Sequence, residues 1–163
     1  MTIPQPDSLR DAFVAAIRHL RAFAFSLCRD AQRADDLVQE TLVKAWQKRE
    51  SFEEGTNLKA WLFTILRNNY FSELRKTNHL LVEANGDCIE RLSSPPAQPG
   101  NLELQDLASA LGRLESAQRE ALILVGAEGF SYEEAAQICG VAVGTIKSRV
   151  HRARHRLAEL LQP

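Results

Sequence analysis

The sequence predicts an all-α protein made of two small helical domains, residues 8–76 and 102–163, joined by a flexible linker over 77–101. Three observations carry that reading. Apolar residues recur every three or four positions along most of the 163 residues, which is the period of a helix with one buried face. No stretch alternates apolar and polar residues as a half-buried strand would. The periodicity fades between Thr77 and Asn101, where SSPPAQPG gathers Ser93, Ser94, Pro95, Pro96, Pro99 and Gly100.

The first helix is predicted from Ser8, a capping residue with Asp11 three positions on, and runs to about Arg29. Its inward positions are Leu9, Phe13, Ile17, Leu20, Ala24 and Leu27. Asp30 can cap a second helix through ADDLVQETLVKAWQ, whose buried face is Ala34, Leu37, Val38, Thr41, Leu42, Ala45 and Trp46. Asp35, Asp36, Gln39, Glu40 and Lys44 then point away from the core, and Glu40 with Lys44 can form an ordinary i,i+4 surface pair. RESFEEGTN is a turn-rich loop. LKAWLFTILRNNYFSELRK resumes the helical period up to Lys76 and interleaves aromatic with basic and amide side chains. Phe63, Arg67, Asn68, Asn69, Tyr70, Arg75 and Lys76 form a mixture that can stack unpaired bases and hold a phosphate strand. The competing reading makes the aromatics core: it is preferred for Trp61 and Phe71 and stands level for Phe63 and Tyr70.

Beyond the linker, Leu104, Leu107, Ala108, Leu111 and Leu114 mark one helix, and Ala121, Leu122, Leu124 and Val125 another. Two short helices follow across a tight turn. Ser131 and Glu134 make a capping box, Gly140 permits a left-handed exit, and Ile146, Val150, Ala153 and Leu157 form the inward face of the final helix. This is a helix-turn-helix pattern. From Ala135 to Ala158 the charged residues are Lys147, Arg149, Arg152, Arg154 and Arg156, with no acidic residue among them. A merely solvated face mixes signs. We therefore read Thr145, Lys147, Ser148, Arg149, Arg152 and Arg154 as DNA contacts, the early residues at base edges and the later arginines on phosphates.

A formal net charge of -1 conceals this asymmetry, because Thr77 to Asp106 holds five acidic residues against Arg91 alone. Cys28, Cys88 and Cys139 are odd in number and widely spaced, so neither disulfide scaffolding nor zinc is expected, and a reducing cytoplasm fits. No apolar run approaches a membrane span, and the N-terminal residues lack signal-peptide regions, so a cytoplasmic location is expected. His19, His79, His151 and His155 are scattered, and no Cys or Ser stands beside one in a nucleophile motif. Neither enzymatic activity nor a cofactor is expected.

DDLVQETLVKAW, then WLFTILRNNYFSELRK, then SYEEAAQICGVAVGTIKSRVHRAR, in that order across this linker, resemble the small extracytoplasmic-function (ECF) sigma factors over nearly the whole chain. GFSYEEAAQICGVAVGTIKSRV resembles the general-stress subgroup, whose members are held by a small anti-sigma protein and freed by a response regulator carrying a sigma-like decoy domain. The resemblance implies sigma region 2 followed by region 4. It implies contact of Asp36, Gln39 and Glu40 with the β′ clamp helices of core RNA polymerase, overturning the surface-pair reading of Glu40, and of region 4 with the β flap. Ser51 to Asn57 and the helix after it would hold the minus-10 element as flipped single-stranded bases, the last module would read the minus-35 duplex, and the acidic linker would thread the polymerase cleft.

Two departures stand out. Thr64 and Ile65 occupy the place of the tryptophan pair of primary sigma factors, and Ala142 replaces a serine that caps the recognition helix in many relatives, at a cost of about 1 kcal/mol. A dimeric helix-turn-helix repressor would need neither the acidic nor the aromatic helix. A sigma-like decoy would be expected to lose the basic recognition helix, which is intact here.

Overall fold

The computed structural model describes residues 6–85 and 102–163, with side chains placed for 8–78 and 102–163. Among the described residues there are seven α-helices and no strand: α1 (Pro6–Cys28), α2 (Ala31–Gln47), α3 (Leu58–Asn85), α4 (Leu102–Gly112), α5 (Ser116–Leu122), α6 (Tyr132–Cys139) and α7 (Val143–Leu161).

Phe13, Ala16, Leu20, Phe23 and Ala24 line the buried face of α1 at the expected spacing. The helix stops because Arg29 adopts a left-handed backbone with φ of 57°, and its N–H donates to the Phe25 carbonyl at 2.8 Å. For a residue with a Cβ that conformation is uncommon. Asp30 then starts α2, its carboxylate accepting from the Arg33 N–H at 3.0 Å. Ala34, Leu37, Val38, Thr41 and Ala45 face inward, as their spacing predicts.

The third helix is longer than the sequence pattern indicates. It runs on to Asn85, because TNHLLVEAN contains no proline or glycine to end it. Residues 77–85, read as the start of the linker, are thus helical. The rest of the predicted linker, with its acidic residues Asp87 and Glu90, lies outside the described residues. Leu104 and Leu107 also depart from expectation. The helix is present, yet they are 63% and 37% exposed, because α4 packs on α7 and buries only Ala110 before Leu114 closes the turn.

After α5 the backbone widens into a π turn, Ile123–Ala127, in which the Glu128 N–H reaches back to the Ile123 carbonyl at 2.9 Å. Gly129, with φ of 75°, then turns the chain so that the Phe130 N–H bonds the Leu124 carbonyl. The turn delivers Glu128 and Phe130 onto α1 and α3. Phe130 meets Phe63 edge-on with ring centroids 5.1 Å apart, and Phe63 stacks on Phe23 at 4.7 Å. One continuous apolar cluster therefore joins the two halves of the chain. Each large side chain buried in it contributes about 1.5–3 kcal/mol.

Candidate nucleic-acid interface

Ser131 is the N-cap of α6, its hydroxyl accepting from the Glu134 N–H at 3.0 Å. Gly140 closes that helix with φ of 67°, and its N–H and that of Val141 bond back to Gln137 and Ala136. The turn aims α7 across the surface, with Ile146, Val150 and Ala153 fully covered. Ala142 caps α7 without a side-chain hydrogen bond, as its identity requires. Lys147, Ser148, Arg152 and Arg154 stand exposed, with Thr145 and Arg149 half-buried beside them. Lys147 lies 5.8 Å from the Tyr132 ring centroid, which orients its ammonium over α6. The six predicted side chains are thus brought onto one helix, free of any acidic partner on its first three turns.

The aromatic and basic helix α3 is arranged differently. Phe63 is a correction: it is fully buried between Phe23 and Phe130, so its ring has no free face for a base. Asn69 is also buried. Its Oδ1 accepts from Lys44 Nζ at 2.9 Å, while its Nδ2 has no partner. Tyr70 is half-buried and its hydroxyl donates to the Leu27 carbonyl, an environment that raises its pKa through burial. Arg67 donates to Glu120 at 2.7 Å and lies over the Phe71 ring at 4.4 Å. Asn68, Arg75 and Lys76 stand exposed.

On α2, Asp36 and Gln39 are exposed, and the Gln32 amide donates to Asp36 at 3.2 Å. Glu40 pairs with Lys44 at 3.0 Å. A hydrogen bond with Glu73, and then Lys44, holds the Glu40 carboxyl below its usual pKa, while the same hydrogen bond raises that of Glu73. Cys28, Arg33, Asp36, Leu37, Tyr70 and Glu73 line a shallow polar cleft between α2 and α3. Among the described residues no group of His, Cys, Asp and Glu is placed to hold a metal ion, and no helix is long and apolar enough to cross a membrane.

The seam between the halves is charged as well as aromatic. Glu128 accepts from Lys59 Nζ at 2.8 Å and His19 Nδ1 at 2.9 Å. Buried Glu120 accepts from Arg67 and from the Cys139 thiol at 2.8 Å. Burial, followed by the Glu120 charge, pushes the Cys139 pKa up to about 12. Arg119 crosses the seam to donate to the Ser26 carbonyl at 2.9 Å. The Asn57 side chain caps α3 through the Ala60 N–H and donates to Glu134 of α6 at 3.0 Å. The Arg29 guanidinium lies against Gly112, where a Cβ would collide with it. Sequence reasoning did not anticipate Lys59, Glu120 and Glu128 at this seam.

Residues 11–79 match the family model of sigma-70 region 2, and residues 104–157 match that of sigma-70 region 4. These define a sigma-70-type protein. The chain is 57% identical to the ECF RNA polymerase sigma factor EcfG of Rhodopseudomonas palustris, over 98% of this chain and 88% of that one. It superposes with a TM-score of 0.83 and 56% identity on the sigma factor RpoE of Bartonella quintana, solved in complex with the anti-sigma factor NepR, covering 94% of this chain and 96% of that one. CnrH, solved with the cytosolic domain of CnrY, gives a TM-score of 0.64 at 30% identity over 95% and 86% of the two chains. The chain belongs to the ECF RNA polymerase sigma factors.

Proposed function

We propose that this chain is a promoter-specificity subunit: it binds core RNA polymerase, brings it to a two-part promoter and helps to open the duplex, without chemistry of its own. The observation that carries this is α7, a capped helix-turn-helix whose outer face presents Lys147, Ser148, Arg149, Arg152 and Arg154 with no acidic residue to neutralise them. Its N-terminal residues, Thr145 to Arg149, enter the major groove at the minus-35 element, and Arg152 and Arg154 set the register on phosphates. Asp36, Gln39 and Glu40 form an acidic and polar patch on α2 for the β′ clamp helices. The exposed residues Asn68, Arg75 and Lys76, together with Arg67, serve the single-stranded minus-10 element.

Membership of the family supports a cytoplasmic location, and the complexes formed by the Bartonella and CnrH relatives support control by a small anti-sigma protein. The identity with EcfG supports a role in stress-response transcription.

Run-off transcription with purified core polymerase tests the reading. Transcripts are expected only when this protein and an ECF-type promoter are both present. Binding of the chain to core polymerase without a transcript from any of a genomic pool of templates would overturn it. In the same assay Arg149→Ala with Arg152→Ala is expected to abolish minus-35 binding while polymerase binding persists. Unchanged promoter activity would remove α7 from the site.

A further inference from the structure

Besides its permanent cations, α7 carries two imidazoles, His151 and His155. At about 100° per residue, Ser148, His151, Arg152 and His155 all lie within about 60° of the direction opposite the covered stripe of Ile146, Val150 and Ala153. Both imidazoles therefore share the outermost strip of the helix with Ser148 and Arg152, and both are exposed. His155 Nδ1 lies 3.5 Å from Glu159 Oε1 while its side chain stays 72% exposed. His151 has no ion-pair or hydrogen-bond partner among the described residues.

Helices α4, α5 and α6 pack against α7 on its covered side. Their titratable and charged groups are placed elsewhere. Arg119 and Glu120 of α5 and Cys139 of α6 are buried. Tyr132, Glu133 and Glu134 form the first turn of α6, with Tyr132 beside Lys147, and Glu103 and Asp106 stand exposed on α4. None of these groups pairs with either imidazole. The charges along the strip are those of α7 itself: Lys147, Arg152, Arg154 and Arg156, with Glu159 only beyond His155.

Imidazole is the side chain that changes charge between about pH 5 and 8, whereas Lys and Arg keep theirs over that range. A duplex laid along the strip brings backbone phosphates to both rings, and a neighbouring phosphate favours the protonated form. The complex then holds more protons than the free chain, and a form that binds more protons gains as pH falls.

We infer that binding of the minus-35 duplex by α7 takes up protons through His151 and His155, so that promoter affinity strengthens in more acidic surroundings. The inference rests on the function proposed above and adds a control to it. His151 carries the larger share, because Glu159 already supplies His155 with an anion on the free helix.

The test uses the full chain assembled with core polymerase, a fluorescein-labelled duplex carrying an ECF-type promoter, and anisotropy at fixed salt. The reference is His151→Gln with His155→Gln, which keeps hydrogen-bonding side chains and removes the titration. Both positions are exposed, so the substitutions leave the fold intact. The affinity of the wild type relative to this variant is expected to grow about tenfold between about pH 8 and about pH 6. His151→Gln alone should remove most of that growth. His151→Lys with His155→Lys should bind more tightly than the wild type at about pH 8 and level with it at about pH 6, because its charges are permanent.

Salt gives a second readout, which a merely structural role would not move. On lowering the pH over the same range, the wild-type slope of log affinity against log salt should steepen relative to the double glutamine variant by up to about 0.9 for each imidazole that gains a phosphate. Parallel pH profiles for the wild type and that variant would overturn the inference while leaving α7 as the minus-35 reader. Promoter binding that Arg149→Ala with Arg152→Ala leaves unchanged at every pH would instead contradict the proposed role of α7, and the proton linkage with it.

Discussion

Helices α3 and α7 carry the same kinds of side chain and put them to opposite uses. On α7, Lys147, Arg152 and Arg154 project into solvent, and the acidic residue nearest in sequence, Glu159, pairs with Arg156 and His155 in the last turns, away from the helix's N-terminal end. On α3, Lys59 and Arg67 are held by carboxylates from a remote part of the chain, and Phe63 is inside the core. A cation on a helix is therefore not by itself a surface for DNA. What decides is whether the fold supplies an anion first. The cations of the proposed duplex reader α7 are open to solvent as folded, while Lys59 and Arg67 of α3 are engaged internally.

The largest expected effect comes from Phe63, the residue that divides the two helices most sharply. Phe63→Ala is expected to lower global stability by about 3–5 kcal/mol, measured by denaturant unfolding, because it empties a site packed by Phe23 and Phe130. A surface aromatic that only stacked bases would leave stability within about 0.5 kcal/mol. Next is Arg149→Ala alone, expected to cost about 1–3 kcal/mol in duplex binding and to relax specificity at one base pair, with stability unchanged. Binding assays against a set of single-base minus-35 variants read both effects.

A smaller effect concerns the start of α7. Ala142→Ser should supply the missing hydrogen bond to the first turn and raise stability by about 1 kcal/mol, since the backbone of Ala142 already has the extended conformation of an N-cap. No gain would mean that the first turn of α7 is satisfied in another way.

The seam has its own pH signature. The Cys139 pKa is raised to about 12 in the folded chain, from an ordinary value of 9.0. The folded state therefore keeps a proton that the unfolded chain releases. The contribution is fully present below pH 9 and is lost as pH rises from there towards about 12, at a slope of up to about 1.4 kcal/mol per pH unit. Cys139→Ala should flatten that alkaline loss. An identical slope in the variant would assign it to other groups.

Local features were readable from the residues that create them. Asp30 caps α2, Ser131 and Gly140 bracket α6, and the covered faces of α2 and α7 follow their spacing, because each depends on side chains three or four positions apart. The end of α3 is not legible in the pattern, because amphipathicity fades after Lys76 while the residues up to Asn85 contain no helix breaker. The seam was not legible at all. Arg67 and Glu120 are 53 residues apart, and the Lys59 contact with Glu128 spans 69. No periodicity links such pairs, and the π turn that delivers Glu128 and Phe130 adds a residue that helical spacing does not anticipate. The exposure of Phe63 and Arg67 turned on that seam, and that of Asn69 on its contact with Lys44 of α2, which is why the minus-10 candidates changed more than those on α7.

The most direct test of the account is the distance between the two halves, measured by single-molecule energy transfer with one dye at Lys48 and one at Glu133, both exposed. The free chain should give one short distance. With core polymerase and a two-element promoter, the distance should lengthen by several tens of ångströms, roughly the spread of the two DNA elements. The same short distance in the free chain and in an active promoter complex would contradict the proposal that the two halves read two separate promoter elements.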